Sequence, residues 1–229
     1  MSLPTPYYHD EAAGITIYCG DCRKILPSLE MEGVDLAFFD PPYGLGIASW
    51  DQHFDAEDVA QLCLSRLTPT GSLYATCSPH ILPEMIRILQ PRRIIAWGKP
   101  NLPLRKNLNE WEWSTEFILW RTASDAFVFN KPYGESARDY WRIPVENGFL
   151  NPDGGYHPAR KPMALLRRII TASSSPSQTI LDPFMGSGTT LRVAKDFGRR
   201  CIGIEIEERY CEVAAKRLQQ SVLPLGEAA

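Results

Sequence analysis

Two short apolar runs of this chain, GVDLAFFD (residues 33–40) and QTILDPF (178–184), break off at an acid followed by proline, and a third, RCIGIEI (200–206), ends in charge. Apolar runs of this length read as strands buried on both faces, the pattern of a parallel sheet. GSLYATCS (71–78), RRIIAWG (92–98) and EWSTEFILW (112–120) supply further strands. Between them, apolar residues recur at helical spacing in DAEDVAQLCLSRL (55–67), KPMALLRRIITAS (161–173), GTTLRVAKDFG (188–198) and ERYCEVAAKRLQQ (208–220), with Pro or Gly near several ends. Strands alternating with helices predict an α/β fold, a mostly parallel sheet with helices on both faces. A length of 229 residues suits one such domain spanning 1–229. Residues 122–156, rich in Gly, Pro, Asn and aromatics, break the rhythm and are expected to form an irregular insertion.

Other classes are excluded by what the chain carries. No apolar stretch approaches the roughly 18 residues of a membrane span, and the first residues, MSLPTPYYHDEAAG, do not follow the basic-then-apolar order of a secretory signal. A cytoplasmic protein with reduced thiols is the expectation. Cys19-Gly-Asp-Cys22 has the spacing of a zinc or dithiol pair, but Cys63, Cys77, Cys201 and Cys211 offer no second close pair. Buried structural cysteines and no metal are predicted.

The net charge of −3 is unevenly distributed. Residues 1–84 hold three Lys/Arg against twelve Asp/Glu, residues 85–168 fourteen against eight, and residues 169–229 seven against seven. In the basic middle third the cations interleave with aromatics: Lys99, Arg105, Lys106, Arg138, Trp141 and Arg142 lie in or beside such stretches. A solvated charged face is one reading of this; a surface for phosphates and unstacked bases is the other.

Ligands of open parallel sheets sit at the carboxyl ends of strands. LDPFMGSGTTLRVA (181–194) leaves a strand, turns through Gly186-Ser187-Gly188 and enters a helix, so backbone can approach a ligand closely and present free N–H groups. A phosphate-binding loop needs a Lys where Thr189 stands, and a dinucleotide fingerprint needs a glycine where Leu191 stands. A nucleoside-type cofactor remains, with Glu205 at the next strand end to accept ribose hydroxyls, as does the plainer reading of packing glycines.

DPPYG (40–44), HPARKP (157–162) and DPFMGSGTT (182–190), in that order, resemble the S-adenosylmethionine-dependent amino methyltransferases of DNA in their permuted "beta" arrangement. The resemblance runs from about Ile17 to Leu218. It implies a Rossmann-like, seven-stranded sheet with one antiparallel strand, and a target-recognition role for the insertion at 122–156. It also implies that the Asp40 carboxylate and the Pro41 carbonyl accept the two hydrogens of the target amine, that Pro42 stiffens the turn, and that Tyr43 stacks on a base flipped out of the duplex. A rigid Pro-Pro turn after a strand is the structural alternative.

By the same resemblance Asp182, Phe184, Gly186, Ser187, Gly188 and Thr189 line the cofactor, and Glu205 binds its ribose. His157, Lys161 and Pro162 close over the methionine end, with Lys161 opposing the cofactor carboxylate. Asp21 contacts the adenosine part, or else is a helix N-cap. Ala159 stands where many members carry Thr. Members with DPPY mostly methylate adenine at its 6-amino group; the 4-amino group of cytosine is the alternative, and an RNA substrate a more distant one. Double-stranded DNA is the implied partner. A homodimer and a cognate restriction enzyme are further partners that the resemblance suggests.

Overall fold

The computed structural model describes residues 4–29, 31, 33–42, 56–102, 109, 111–132, 137–146 and 160–220. In chain order the elements are β1 (Tyr8–Asp10), β2 (Ile15–Cys19), α1 (Cys22–Ser28), β3 (Val34–Phe39), α2 (Ala56–Leu64), β4 (Leu67–Cys77), α3 (Leu82–Leu89), β5 (Arg93–Gly98), β6 (Thr115–Thr122), β7 (Tyr140–Arg142), α4 (Met163–Ser173), β8 (Thr179–Asp182), α5 (Thr189–Asp196), β9 (Arg200–Glu205) and α6 (Glu208–Gln219). The strands form one sheet ordered β1-β2-β9-β8-β3-β4-β6-β5-β7. Pairing is parallel throughout β2, β9, β8, β3 and β4; β6 runs antiparallel to both β4 and β5. From β2 to β5 these are the seven expected strands with their one antiparallel member. Two short edge strands add to them, β1 antiparallel to β2 and β7 parallel to β5.

Alternation on the buried strands divides the core between the two faces. Leu36 and Phe38 of β3 pack with α4, α5 and α6 residues such as Leu165, Leu191 and Ala214. Ala37 and Phe39 pack on the other face with α1, α2 and α3 residues such as Ile25, Val59 and Met85. The faces decide where a ligand can sit. Adjacent strands β3 and β8 are followed by helices on opposite faces, α2 on one and α5 on the other. Their carboxyl ends therefore open a crevice at a topological switch point.

Several elements depart from the sequence reading. The segment expected to be helical to residue 67 ends its helix at Leu64, and Leu67 already belongs to β4, pairing with Val34. Helix α3, with proline in its first turn, was not anticipated, and α1, which ends on Pro27-Ser28, was anticipated only through Asp21 as an N-cap. The insertion at 122–156 is irregular only in part. Thr122 still belongs to β6, and Tyr140–Arg142 extends the sheet edge.

Candidate active site

At the end of β3, Asp40 leaves the sheet opposite β4, since Phe39 pairs with Ala75 and so brings Asp40 beside Thr76. The Thr76 hydroxyl donates to Asp40 Oδ1. Lys161 Nζ donates to both Asp40 oxygens at 2.7 Å. The same ammonium lies 3.9 Å from Glu116 Oε2, and the other oxygen of Glu116 is paired with Lys99. A row of alternating charge, Asp40, Lys161, Glu116 and Lys99, thus runs from β3 across to β5 and β6. Lys161 is only 9% exposed. Burial disfavours its charge, but the carboxylates of Asp40 and Glu116 outweigh burial and hold its pKa above the usual lysine value. Pro41 is buried and Pro42 half-buried beside this row.

Lys161 therefore corrects an expectation. It was read as opposing a cofactor carboxylate, whereas its ammonium is directed onto Asp40, because α4 begins just beyond it, with Pro162 as N-cap, and delivers residue 161 to the end of β3. Lys99, expected on a phosphate-facing surface, is likewise turned inward, 15% exposed, over the Trp97 ring and onto Glu116.

Across the crevice, β8 ends in Asp182, whose Oδ1 accepts the Phe184 N–H at 3.0 Å. Burial raises the Asp182 pKa to about 7 against the opposing hydrogen bonds from Thr190 and Phe184. A carboxyl whose folded pKa lies above its unfolded value gives stability that is complete below the unfolded pKa and is lost as pH rises to the folded one. Asp182→Asn is therefore expected to flatten the loss of stability between about pH 4 and 7 and to make the protein more stable at pH 8, by up to about 4 kcal/mol. Thermal melts of the ligand-free protein across that range check this; a variant that melts lower at pH 8 would contradict it.

Gly186 and Gly188 take φ of 51° and 75° in the turn into α5. Glu205 is tied to this turn: its Oε2 accepts from Gly186 N at 3.0 Å and its Oε1 from Glu207 N at 2.8 Å. Burial raises its pKa as well, against those backbone donors. A carboxylate offers about four lone-pair sites, so Glu205 can hold the turn and still accept from a ligand hydroxyl. Ser187 is buried, its carbonyl accepting from Arg217 at 2.6 Å, so this serine contributes backbone to the loop while its side chain packs inward. Thr189 is buried in the first turn of α5. The Phe184 ring meets Phe39 edge to face at 5.4 Å, on the sheet face covered by α1, α2 and α3. Asp21 is the N-cap of α1, accepting Arg23 N at 2.9 Å and pairing with the Arg23 guanidinium at 2.7 Å; that hydrogen-bonded pair holds its pKa below the usual range. The N-cap alternative thus accounts for Asp21.

Of the expected nucleic-acid contacts, Arg138 and Arg142 are exposed at the sheet edge. Trp141 is a correction. On β7 it alternates inward, 6% exposed, with Arg168 over its ring and its Nε1 donating to Arg138 O, while Tyr140 faces outward at 62%. Tyr43, Arg105, Lys106 and His157 lie outside the described residues. The residues that sequence reasoning missed are Thr76, Glu116 and Arg217. Each reaches the site through strand pairing or helix packing; Thr76 and Glu116 signal themselves as polar residues in largely apolar strands, whereas Arg217 stands among the polar residues of α6 and carries no such signal.

The comparisons agree with this geometry. A family model for DNA methylases of the N6/N4 group matches residues 34–216. The type II methyltransferase M2.LlaDCHI of Lactococcus lactis subsp. cremoris is 32% identical, covering 95% of this chain and 93% of the relative, and M2.DpnII of Streptococcus pneumoniae is 31% identical with the same coverages. Among solved structures, the M1.HpyAVI complex with SAM superposes with a TM-score of 0.73 at 30% identity, over 90% of this chain and 100% of that one. The cytosine-N4-specific PvuII methyltransferase shares the fold, with a TM-score of 0.76 at 19% identity over 95% of this chain and 90% of that one. With the family model spanning most of the chain and the motifs gathered at one switch point, the protein belongs to the N6/N4 DNA methyltransferase family.

Proposed function

We propose that this chain transfers a methyl group from S-adenosylmethionine to the 6-amino group of an adenine flipped out of duplex DNA. The observation that carries the reading is the Asp40 carboxylate, fixed by Thr76 and Lys161 at the end of β3, across the crevice from the glycine turn of β8. The donor set suits the cofactor. Asp182 is a buried carboxyl with a raised pKa, and it gains by ionising beside a cation. Glu205 is available to ribose hydroxyls, and the Gly186–Gly188 turn brings backbone close. When bound, S-adenosylmethionine supplies the methyl group on a positively charged sulfur.

The chain's own task is to make a poor nucleophile attack. The amine lone pair of adenine is delocalised into its ring, and acceptors at fixed positions draw both N–H bonds into one geometry and turn the lone pair toward the methyl group. Asp40 Oδ and the Pro41 carbonyl fill those positions in this reading. Pro42 fixes the turn, and Tyr43 covers the ring of the flipped base. The proton that the methylated amine sheds leaves to solvent or through Asp40. Exposed Arg138 and Arg142 at the β7 edge would meet the duplex, and a companion restriction enzyme would share its recognition site.

The test incubates the protein and an Asp40→Ala variant with mixed-sequence duplex DNA and methyl-labelled S-adenosylmethionine, then identifies the labelled nucleoside by mass. Labelled 6-methyladenine that disappears in the variant is expected. Labelled 4-methylcytosine would replace the target base and keep the mechanism; no label on DNA, with cofactor binding intact, would overturn the proposal.

A further inference from the structure

The charge row beside Asp40 poses a problem for the reaction just described. Lys161 donates to both oxygens of the very carboxylate that must accept the target amine, and Thr76 adds a donor on Oδ1. An amine hydrogen entering there competes with a buried ammonium. These donors take three of the roughly four lone-pair sites of the carboxylate, so a well-aligned amine hydrogen bond is favoured when part of the Lys161 contact is given up, and an ammonium so enclosed cannot exchange it for bulk water.

An alternative acceptor stands next to it. Glu116 Oε2 is buried and has no hydrogen-bond partner among the described residues, while Oε1 is held by Lys99. Leaving a buried carboxylate oxygen unsatisfied costs free energy, so it marks an acceptor in wait of a donor. Lys161 Nζ is 3.9 Å away, and a shift on the order of 1 Å would complete a hydrogen bond. Other groups near the pair are Asp182 and Cys77: Asp182 acts on Lys161 as Glu116 does, in favour of its charge, and the Cys77 thiol is pushed up to about 12, so it stays neutral.

We infer that Glu116 is a positioning residue for methyl transfer: it receives the Lys161 ammonium when the target amine takes its place on Asp40. The exchange leaves the number of ion pairs unchanged, because one hydrogen bond moves from Asp40 to Glu116 while the amine makes a new one. Lys99 keeps Glu116 aligned during the move. The inference rests on the reading of Asp40 as amine acceptor.

The test is a pair of double-mutant cycles on the full chain, with Glu116→Gln, Lys161→Met and the double variant, read as single-turnover methylation of the mixed-sequence duplex and as melting temperature without DNA. Glu116→Gln is expected to slow transfer about 10- to 100-fold while the affinity for S-adenosylmethionine, measured by calorimetry, holds within about twofold. In the Lys161→Met background the same change should have almost no further effect, because there is no ammonium left to receive. A merely structural pair would show its coupling in the melting temperatures and multiply its effects on the rate, and that result overturns the inference, as does a Glu116→Gln enzyme at the wild-type rate. Should Glu116→Gln fail to fold, Glu116→Asp keeps the charge toward Lys99 but withdraws the acceptor, and a loss of at least tenfold is expected from it; an unchanged rate again overturns the inference. An Asp40→Asn enzyme that methylates normally would sink the underlying reading instead, so the two failures are distinguishable.

Discussion

Asp40→Asn is expected to cut the rate of methyl transfer by about 10²- to 10³-fold, the range seen when one fixed electrostatic partner of a transition state is removed. Asn keeps the size of the side chain but puts an NH₂ where one carboxylate oxygen stood, so a donor faces either the amine hydrogens or Lys161. The ammonium then loses the anion it meets at 2.7 Å and retains Glu116 at 3.9 Å. Affinity for S-adenosylmethionine should change little, because Asp182, the glycine turn and Glu205 belong to other strands. Single-turnover rates beside calorimetric cofactor binding separate the two quantities. A variant within tenfold of wild type would remove Asp40 from the chemistry; a variant that fails to bind cofactor would make Asp40 structural.

The second large effect is on folding. Gly188→Ala puts a methyl group on a residue at φ 75°, and that Cβ would lie 2.6 Å from the Ala214 Cβ of α6 and 3.3 Å from its Cα. These atoms are backbone-bound and cannot rotate away, so helices α5 and α6 must separate. The left-handed conformation costs about 1–2 kcal/mol and the overpacking about 1–3 kcal/mol more. For a chain of this size the sum corresponds to a melting temperature lowered by about 10 °C. Gly198 is the internal control. Its φ is 68°, and nothing lies within 4 Å of an added Cβ, so Gly198→Ala meets only the backbone cost. Equal losses in the two variants would show that the α5–α6 contact does not constrain Gly188. Cofactor affinity should fall in Gly188→Ala alone, since only that residue shapes the turn held by Glu205 through Gly186.

How much of this was legible beforehand depends on the range of the interaction. Buried strands β3, β8 and β9, and helices α2, α4, α5 and α6, announce themselves because hydrophobic periodicity is a local signal. Helices α1 and α3 are short and carry prolines, which weakens the helical signal, although the proline of α3 lies in the first turn, where it is no obstacle to a helix. Strand β7 is three residues long and stable only as an addition to the edge of β5, so nothing in its own composition declares it. That same pairing turns Trp141 inward, against the expectation drawn from the aromatic and basic composition of its surroundings.

The sequence by itself determined the α/β class, the order of the motifs and the strand-end acids Asp40, Asp182 and Glu205, because each depends on residues adjacent in the chain. Only the tertiary structure decided what those acids face. Asp40 meets Lys161 across 121 positions of sequence, Thr76 comes beside it through β3–β4 register, and Glu116 arrives on an antiparallel strand. Which charges share a buried site is set by strand order and helix packing, and the electrostatics that govern the site act over a few ångströms of space irrespective of distance along the chain.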